Sequence, residues 1–372
     1  MVKDKDILFV AGDLDFGGAQ MHLVELVNHL DSHIHSTIFI LSDKDALAAR
    51  IKPGVEIRRS IRRWRFDTSP VDIIAEQITT KKFASLFAVD LFAFVFLALA
   101  RKRTREDFAI NVIVHNTRYA NYTDYFRSVV FSQFRRAQDV FISVCQAQAH
   151  YFAKYYFVPR DRFLTIYNGV DTSRFVVRPS SFNAEKFRSS LDIPTGAKVI
   201  IQVATLRKMK AHEDSIKALK VLHDYGSDNT CLLIVGGGND SIESDLRLLA
   251  KNNNVEKYVR FCGMQHDVLP FYWISDLFTL SSFAVETFSI SALEAMATGL
   301  PCVLTDLGGA MEMVTEGENG YVVPVHNPKA LAEGWHKALN GNLSLTKDDI
   351  RRIIIERFSL DSMVRSFEAI IN

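Results

Sequence analysis

The sequence predicts an α/β protein of two domains, each a series of short strands alternating with helices. Three observations carry that prediction. The chain has 372 residues, enough for two full-sized cores. Short apolar-rich runs recur at 7–10, 37–41, 110–114, 140–144, 198–203, 231–235 and 275–280, with helical spacing between them. Such runs mark strands buried on both faces of a sheet. A polar stretch containing Pro179, Ser180 and Ser181 separates the two series and reads as an interdomain segment.

Composition narrows the function classes. Hydrophobic content of 48% and charged content of 23% are those of a soluble globular protein. A net charge of +1 gives no reason to expect nucleic acid. Cys145, Cys231, Cys262 and Cys302 are far apart and each lies in or beside an apolar run. They read as small buried hydrophobes in a reducing compartment, with no zinc or disulfide pattern. The N-terminus passes from charges straight into a strand, so a secretory leader is not expected and a cytoplasmic location is.

In the first domain, the strand at 7–10 leads to a loop with Gly17 and Gly18. A helix follows with Met21, Leu23, Val24, Leu26, Val27 and Leu30 as its apolar positions. The glycine pair either brings backbone close to a ligand or forms a plain tight turn. The charge run at 58–65 reads as a solvated face. The run at 83–100 carries one charge, Asp90, and cations flank it on both sides. Three readings compete there: a buried domain helix, a membrane-surface contact over 83–105, and a membrane span. The strand at 110–114 ends at His115, where a parallel sheet gathers its ligands. His115 either positions a sugar hydroxyl or is structural.

In the second domain, Arg207, Lys208 and Lys210 follow the strand at 198–203, just before a helix. Cations there suit a diphosphate leaving group, or are ordinary surface charges. Gly236 ends the strand at 231–235, where backbone can approach a nucleotide. The densest signal lies at 280–314. Glu286 and Glu294 stand eight residues apart around Phe288, Ser289, Ile290 and Ser291. A helix beginning near 289–291 exposes unpaired N–H groups to a diphosphate. Glu294, one turn inside, can accept hydrogen bonds from a ribose diol, and Glu286 can orient a second sugar. The plainer reading makes Ser291 and Glu294 a capping box and Glu286 a loop residue. Gly299 and Pro301 are helix stop signals.

The order Glu286, Glu294, Ala295-Met296-Ala297, Gly299-Leu300-Pro301, Gly308-Gly309 and Glu312 resembles the signature of the retaining glycosyltransferases of family 4. Ile166, Asn168, Gly169, Val170, Asp171 and Phe175 resemble the end of that family's first domain. The resemblance implies the GT-B fold: two Rossmann-like domains facing a cleft, with a C-terminal helix crossing back to the first. It places an acceptor domain at 1–172, joined by 356–372, and a donor domain at 173–355.

The resemblance also implies roles. Lys210 stabilises the leaving diphosphate, Glu286 orients donor-sugar hydroxyls, and His115 lines the sugar site. Gly17, Gly18, Arg207, Gly236, Met264, Phe288, Ser289, Ile290, Ser291 and Glu294 contact the donor. Thr205 stands where the family has an arginine, which puts donor binding or turnover in question. The expected activity is retaining transfer from a nucleotide diphosphate donor, a UDP-sugar being favoured. The acceptor would be a glycan or lipid-linked molecule in surface polysaccharide synthesis. No cofactor, metal or nucleic acid is expected; contact with the cytoplasmic membrane face is one of the three readings of 83–105. A non-catalytic glycosyltransferase-like subunit is the alternative.

Overall fold

The structure is a computed structural model that describes residues 4–15, 17–64, 67–115 and 122–371. It divides into two compact units. Unit 1 comprises Met1–Asn168 and Leu360–Asn372, and unit 2 comprises Gly169–Ser359.

In unit 1 the elements run β1 (Lys5–Ala11), α1 (Gly18–His29), β2 (Ile34–Ile40), β3 (Glu56–Arg59), α2 (Ser69–Thr80), β4 (Ser85–Ala88) and α3 (Leu91–Thr104). Then come β5 (Asn111–Val114), α4 (Tyr122–Ser132), β6 (Val140–Ser143), α5 (Gln146–Tyr155) and β7 (Phe163–Thr165). The seven strands are parallel, in the order β3-β2-β1-β4-β5-β6-β7. Alternation along β1 sends Leu8 and Val10 into one core and Ile7 and Phe9 into the other. Both faces are covered, which is why this strand reads as continuously apolar.

Unit 2 repeats the plan. Its elements run α6 (Ala184–Ser190), β8 (Lys198–Val203), α7 (His212–Asp224), β9 (Thr230–Val235), α8 (Asp240–Asn252), β10 (Val259–Phe261), α9 (Leu269–Trp273), β11 (Leu277–Leu280) and α10 (Ile290–Ala297). They continue through β12 (Cys302–Thr305), α11 (Ala310–Met313), β13 (Gly320–Val323), α12 (Pro328–Leu339) and α13 (Lys347–Arg357). Six parallel strands lie in the order β10-β9-β8-β11-β12-β13. The last helix, α14 (Leu360–Ile371), returns to unit 1. It buries Leu360, Met363, Val364, Phe367 and Ile371 in the core that holds α1. Its last turn is tied by Lys5 Nζ to Ile371 O (3.2 Å) and Asp31 N to Glu368 Oε1 (2.9 Å).

The units divide a few residues from the boundaries expected at 172 and 356. The Val170 N–H donates to Phe358 O (2.9 Å), so the outgoing and returning strands pair inside unit 2. The segment read as an interdomain linker also packs within that unit. Trp273 Nε1 donates to Val176 O (2.8 Å), and Phe182 stacks edge-on against the Trp273 ring.

The apolar run at 83–100 is not one helix. It splits into β4 and α3 at Asp90, whose side chain caps α3 by accepting from Ala93 N (2.6 Å). Phe94 and Phe96 are buried in unit 1. Among the described residues no helix is long and apolar enough to cross a membrane. Arg101, one of the flanking cations, is also internal. It makes a two-armed bond to Asp139 (2.6 and 2.9 Å), which further accepts from Ile110 N and Arg136 N. Within the charge run at 58–65, Arg59 pairs with Asp45 and Arg62 lies over the Phe92 ring; Arg65 lies outside the described residues. Cys145, Cys231 and Cys302 are buried and Cys262 is partly so, and none of the four forms a disulfide.

Phe94→Ala is expected to destabilise the protein by about 3–5 kcal/mol, as for other large core aromatics. A lowered urea midpoint with unchanged slope checks this. Retained stability would return the segment to the surface.

Candidate functional site

The polar groups of unit 2 collect at the carboxyl ends of β8, β9, β11 and β12. Past β8 the backbone stays extended, with the Leu206 N–H donating to Gly237 O (3.0 Å) and a bridge from Leu206 to Gly238. Thr205 and Arg207 are therefore exposed on one side while Leu206 is buried between them. Arg207 has no carboxylate partner among the described residues. The chain then tightens into a 3₁₀ turn, Lys208–Lys210, and Ala211 takes a left-handed conformation (φ 46°) to start α7.

Lys210 Nζ lies 2.5 Å from Glu286 Oε2 in a partly buried ion pair. Ser282 Oγ donates to the same carboxylate oxygen (3.2 Å). Two backbone features place Glu286. Val285 before it has φ 56°, a costly conformation for a β-branched residue. Gly308 packs beneath it, also at positive φ; a Cβ there would fall 2.3 Å from Thr287 O and 2.5 Å from Glu286 O. The next N–H, from Gly309, donates to Thr287 O (2.7 Å). The Gly-Gly pair thus clamps the loop that carries the carboxylate.

The helix α10 starts at Ile290, with Ser289 as its cap; Ser289 Oγ accepts from Ala292 N (3.2 Å). The Ser291–Glu294 capping box does not form, because the helix begins earlier. Glu294 Oε2 instead accepts from the Tyr272 hydroxyl (2.9 Å), which also lies 3.2 Å from Ser291 O. The backbone N–H groups of Ile290 and Ser291 have no acceptor among the described residues. Phe288 is buried against Phe358, so it supports the loop from behind.

Electrostatics single out Glu294. Burial pushes its carboxyl up to about 7, against the opposing hydrogen bond from Tyr272. Burial likewise raises the Tyr272 phenol well above its ordinary value. His212, at the start of α7, is pushed down to about 4 by burial and the nearby Lys210 charge.

The other expected donor contacts sit differently. Gly236 (φ 145°) faces protein: a Cβ would lie 2.1 Å from Ala204 O. That close approach to the extension of β8 accounts for the residue without a ligand. Met264 is exposed beside Gly237.

In unit 1, Gly17 caps α1 in an extended conformation and Gly18 faces open space. His115 follows β5 with its Nε2 buried and without a partner among the described residues, and its ring meets His22 edge-on at 5.0 Å. Burial lowers both imidazoles, His22 to about 4.

Residues 183–356 match the model described as glycosyl transferases group 1, and 16–174 match the glycosyltransferase family 4 model. The chain belongs to this glycosyltransferase family. Its similarity to N-acetyl-alpha-D-glucosaminyl L-malate synthase of Bacillus anthracis is 28% identity, over 57% of this chain and 54% of that protein. To D-inositol 3-phosphate glycosyltransferase of Corynebacterium glutamicum it is 33%, over 52% and 45%. The chain thus spans about half the length of the curated relatives it matches. Anabaena HepE, solved in complex with UDP, superposes with TM-score 0.84 at 20% identity, covering 98% of this chain and 99% of that one. The fold of this glycosyltransferase is GT-B.

Sequence reading missed Tyr272, Ser282 and His22. Tyr272 lies 22 residues before Glu294, and no spacing rule links them. Ser282 borders the glutamate motif but carries no pattern of its own. His22 sat unremarked among the apolar positions of α1, where a polar ring was the available signal.

The raised Glu294 carboxyl has a stability consequence. The native state keeps its proton up to about 7, whereas the unfolded chain releases it near 4.5. Stability from this group is therefore lost as pH rises through that window, by up to about 3 kcal/mol. Glu294→Gln is expected to raise the melting temperature clearly at about pH 8 and little at about pH 4. Equal gains at both would refute the raised carboxyl.

Proposed function

We propose that this glycosyltransferase moves a sugar from a nucleoside diphosphate donor, a UDP-sugar being favoured, with retention at the anomeric carbon. The observation that carries this is the grouping of Lys210, Glu286, Glu294 and the start of α10 at one sheet edge of unit 2. Binding of UDP by HepE supports the choice of base.

Departure of the diphosphate leaves negative charge on one side and an oxocarbenium-like sugar on the other. Lys210, Arg207 and the free N–H groups of α10 stabilise the leaving group, so the reaction needs no metal ion. Arg207 supplies the cation that Thr205 lacks, because the backbone stays extended between them. Glu286 holds Lys210 in place and orients donor-sugar hydroxyls. Glu294, steadied by Tyr272, takes the ribose diol. His115 holds a sugar hydroxyl in neutral form. The acceptor is a glycan or lipid-linked molecule used in surface polysaccharide synthesis on the cytoplasmic side.

Thermal unfolding with a panel of nucleotides tests the donor site. A ligand at about a hundredfold its dissociation constant adds roughly 2.7 kcal/mol, several degrees for a chain of this size. UDP and UDP-sugars are expected to give that shift in the native protein and almost none in Glu294→Ala. Lys210→Ala is expected to lose the UDP shift but keep any shift with uridine, and to lower kcat by about a hundredfold or more. No shift with any nucleotide would leave the chain a non-catalytic subunit.

A further inference from the structure

Seven non-glycine residues among those described hold a left-handed backbone, and three of them lie in segments that meet beside Glu286. Ala211 (φ 46°) starts α7, Val285 (φ 56°) precedes Glu286, and His326 (φ 54°) lies between β13 and α12. Such backbone is costly outside glycine and persists where neighbouring contacts hold it. Ala211 and Val285 shape the turns that carry Lys210 and Glu286. His326 belongs to neither turn.

Its contacts explain why a ring occupies that position. His326 Nδ1 lies 3.3 Å from Asp214 Oδ2, in the first turn of α7. A carboxylate only accepts, so this nitrogen donates. The Asp214 side chain is 9% exposed and that of His326 57%, so a buried anchor holds a half-open ring. The imidazole also lies against the Phe283 ring, with centroids 4.4 Å apart and 34° between the planes.

Phe283 joins the two halves of the site. Its N–H donates to Met209 O (3.1 Å), in the turn that carries Lys210. Ser282, just before it, donates to Glu286 Oε2 (3.2 Å), and Glu286 itself follows three residues later. Asp214 does not need the imidazole for its own sake. A carboxylate in the first turn of a helix is favoured by the helix dipole, and Lys217 Nζ lies 4.0 Å from its other oxygen. What the His326 ring adds is the contact with Phe283.

We propose that His326 is a positioning residue of the donor site. Anchored on Asp214, its ring holds Phe283, and through Phe283 it keeps the Glu286 loop against the Lys210 turn. The chemistry it serves rests on the donor reading proposed above; its hold on the loop does not.

Hydrogen exchange of the full chain without nucleotide tests the hold. His326→Gly removes the ring and suits the left-handed backbone, so the melting temperature should change little. The Phe283 amide should exchange about tenfold or more faster in this variant, with the Ile201 amide of β8 unchanged. Release of UDP from UDP-glucose, with water as acceptor, tests the consequence. His326→Gly should be about tenfold slower at saturation, with UDP affinity within about twofold of native, because Glu294 and α10 are untouched. Phe283→Leu should be slowed alike and the double variant no further, since His326 acts through Phe283. Asp214→Asn, which still accepts from Nδ1, should keep most of the rate. Unchanged exchange at Phe283, or rate losses that add in the double variant, would overturn the proposal. Absence of UDP release by the native chain with UDP-glucose and other UDP-sugars would count against the donor reading instead, and exchange at Phe283 would then decide alone.

Discussion

A buried polar network beneath the ion pair holds the site of unit 2 together. Ser281, at the end of β11, lies 2.8 Å from Ala211 O and 3.1 Å from Lys210 O through its hydroxyl. Gln202 on β8 donates to Lys210 O (3.1 Å), and Ser215 on α7 joins Gln202 to Ser281. Gln202, Ser215 and Ser281 are fully buried, so each lost bond would strand a polar group away from water. The network fixes the turn that carries Lys210 against the strand that leads to Glu286. The ion pair is the exposed end of that arrangement.

The remaining parts follow from parallel-sheet geometry. Strands running one way release their polar residues at one edge, and the loops there are positioned by their neighbours. Thr305 Oγ1 donates to Ser282 O (2.6 Å), and Gly309 N to Thr287 O. The loop 282–289 is thereby strapped to the end of β12 before α10 begins. Two carboxylates on one loop-helix unit then meet opposite treatment. Glu286 is paired with a cation and a hydroxyl. Glu294 is buried with a phenol as its partner, and its proton affinity rises.

Much of this was legible in the sequence because it depends on local signals. Apolar runs located most strands, and Gly299 ends α10 as its type requires. At φ 86° its N–H donates to Met296 O and that of Leu300 to Ala295 O. The glutamate spacing found the loop and helix, but not which serine caps it, because Ser289 and Ser291 are equally suited in composition. The 83–100 run left three readings open because its length outweighed Asp90, the one residue that divides strand from helix; the buried helix among them is α3. Tyr272 and the partners of Arg101 are contacts across the fold, which no local pattern encodes.

The pH dependence of UDP affinity, compared between the native protein and Glu294→Gln, tests the donor assignment most directly. A ribose diol donates hydrogen bonds to the ionised carboxylate, so binding must expel the proton that burial retains. Native affinity is expected to fall by up to about tenfold per pH unit below about 7, beyond any change caused by the titration of UDP itself. Glu294→Gln should bind more weakly at about pH 8 and show only the change due to UDP. Parallel pH profiles for the two proteins would contradict the placing of the ribose at Glu294, and with it the donor site in unit 2.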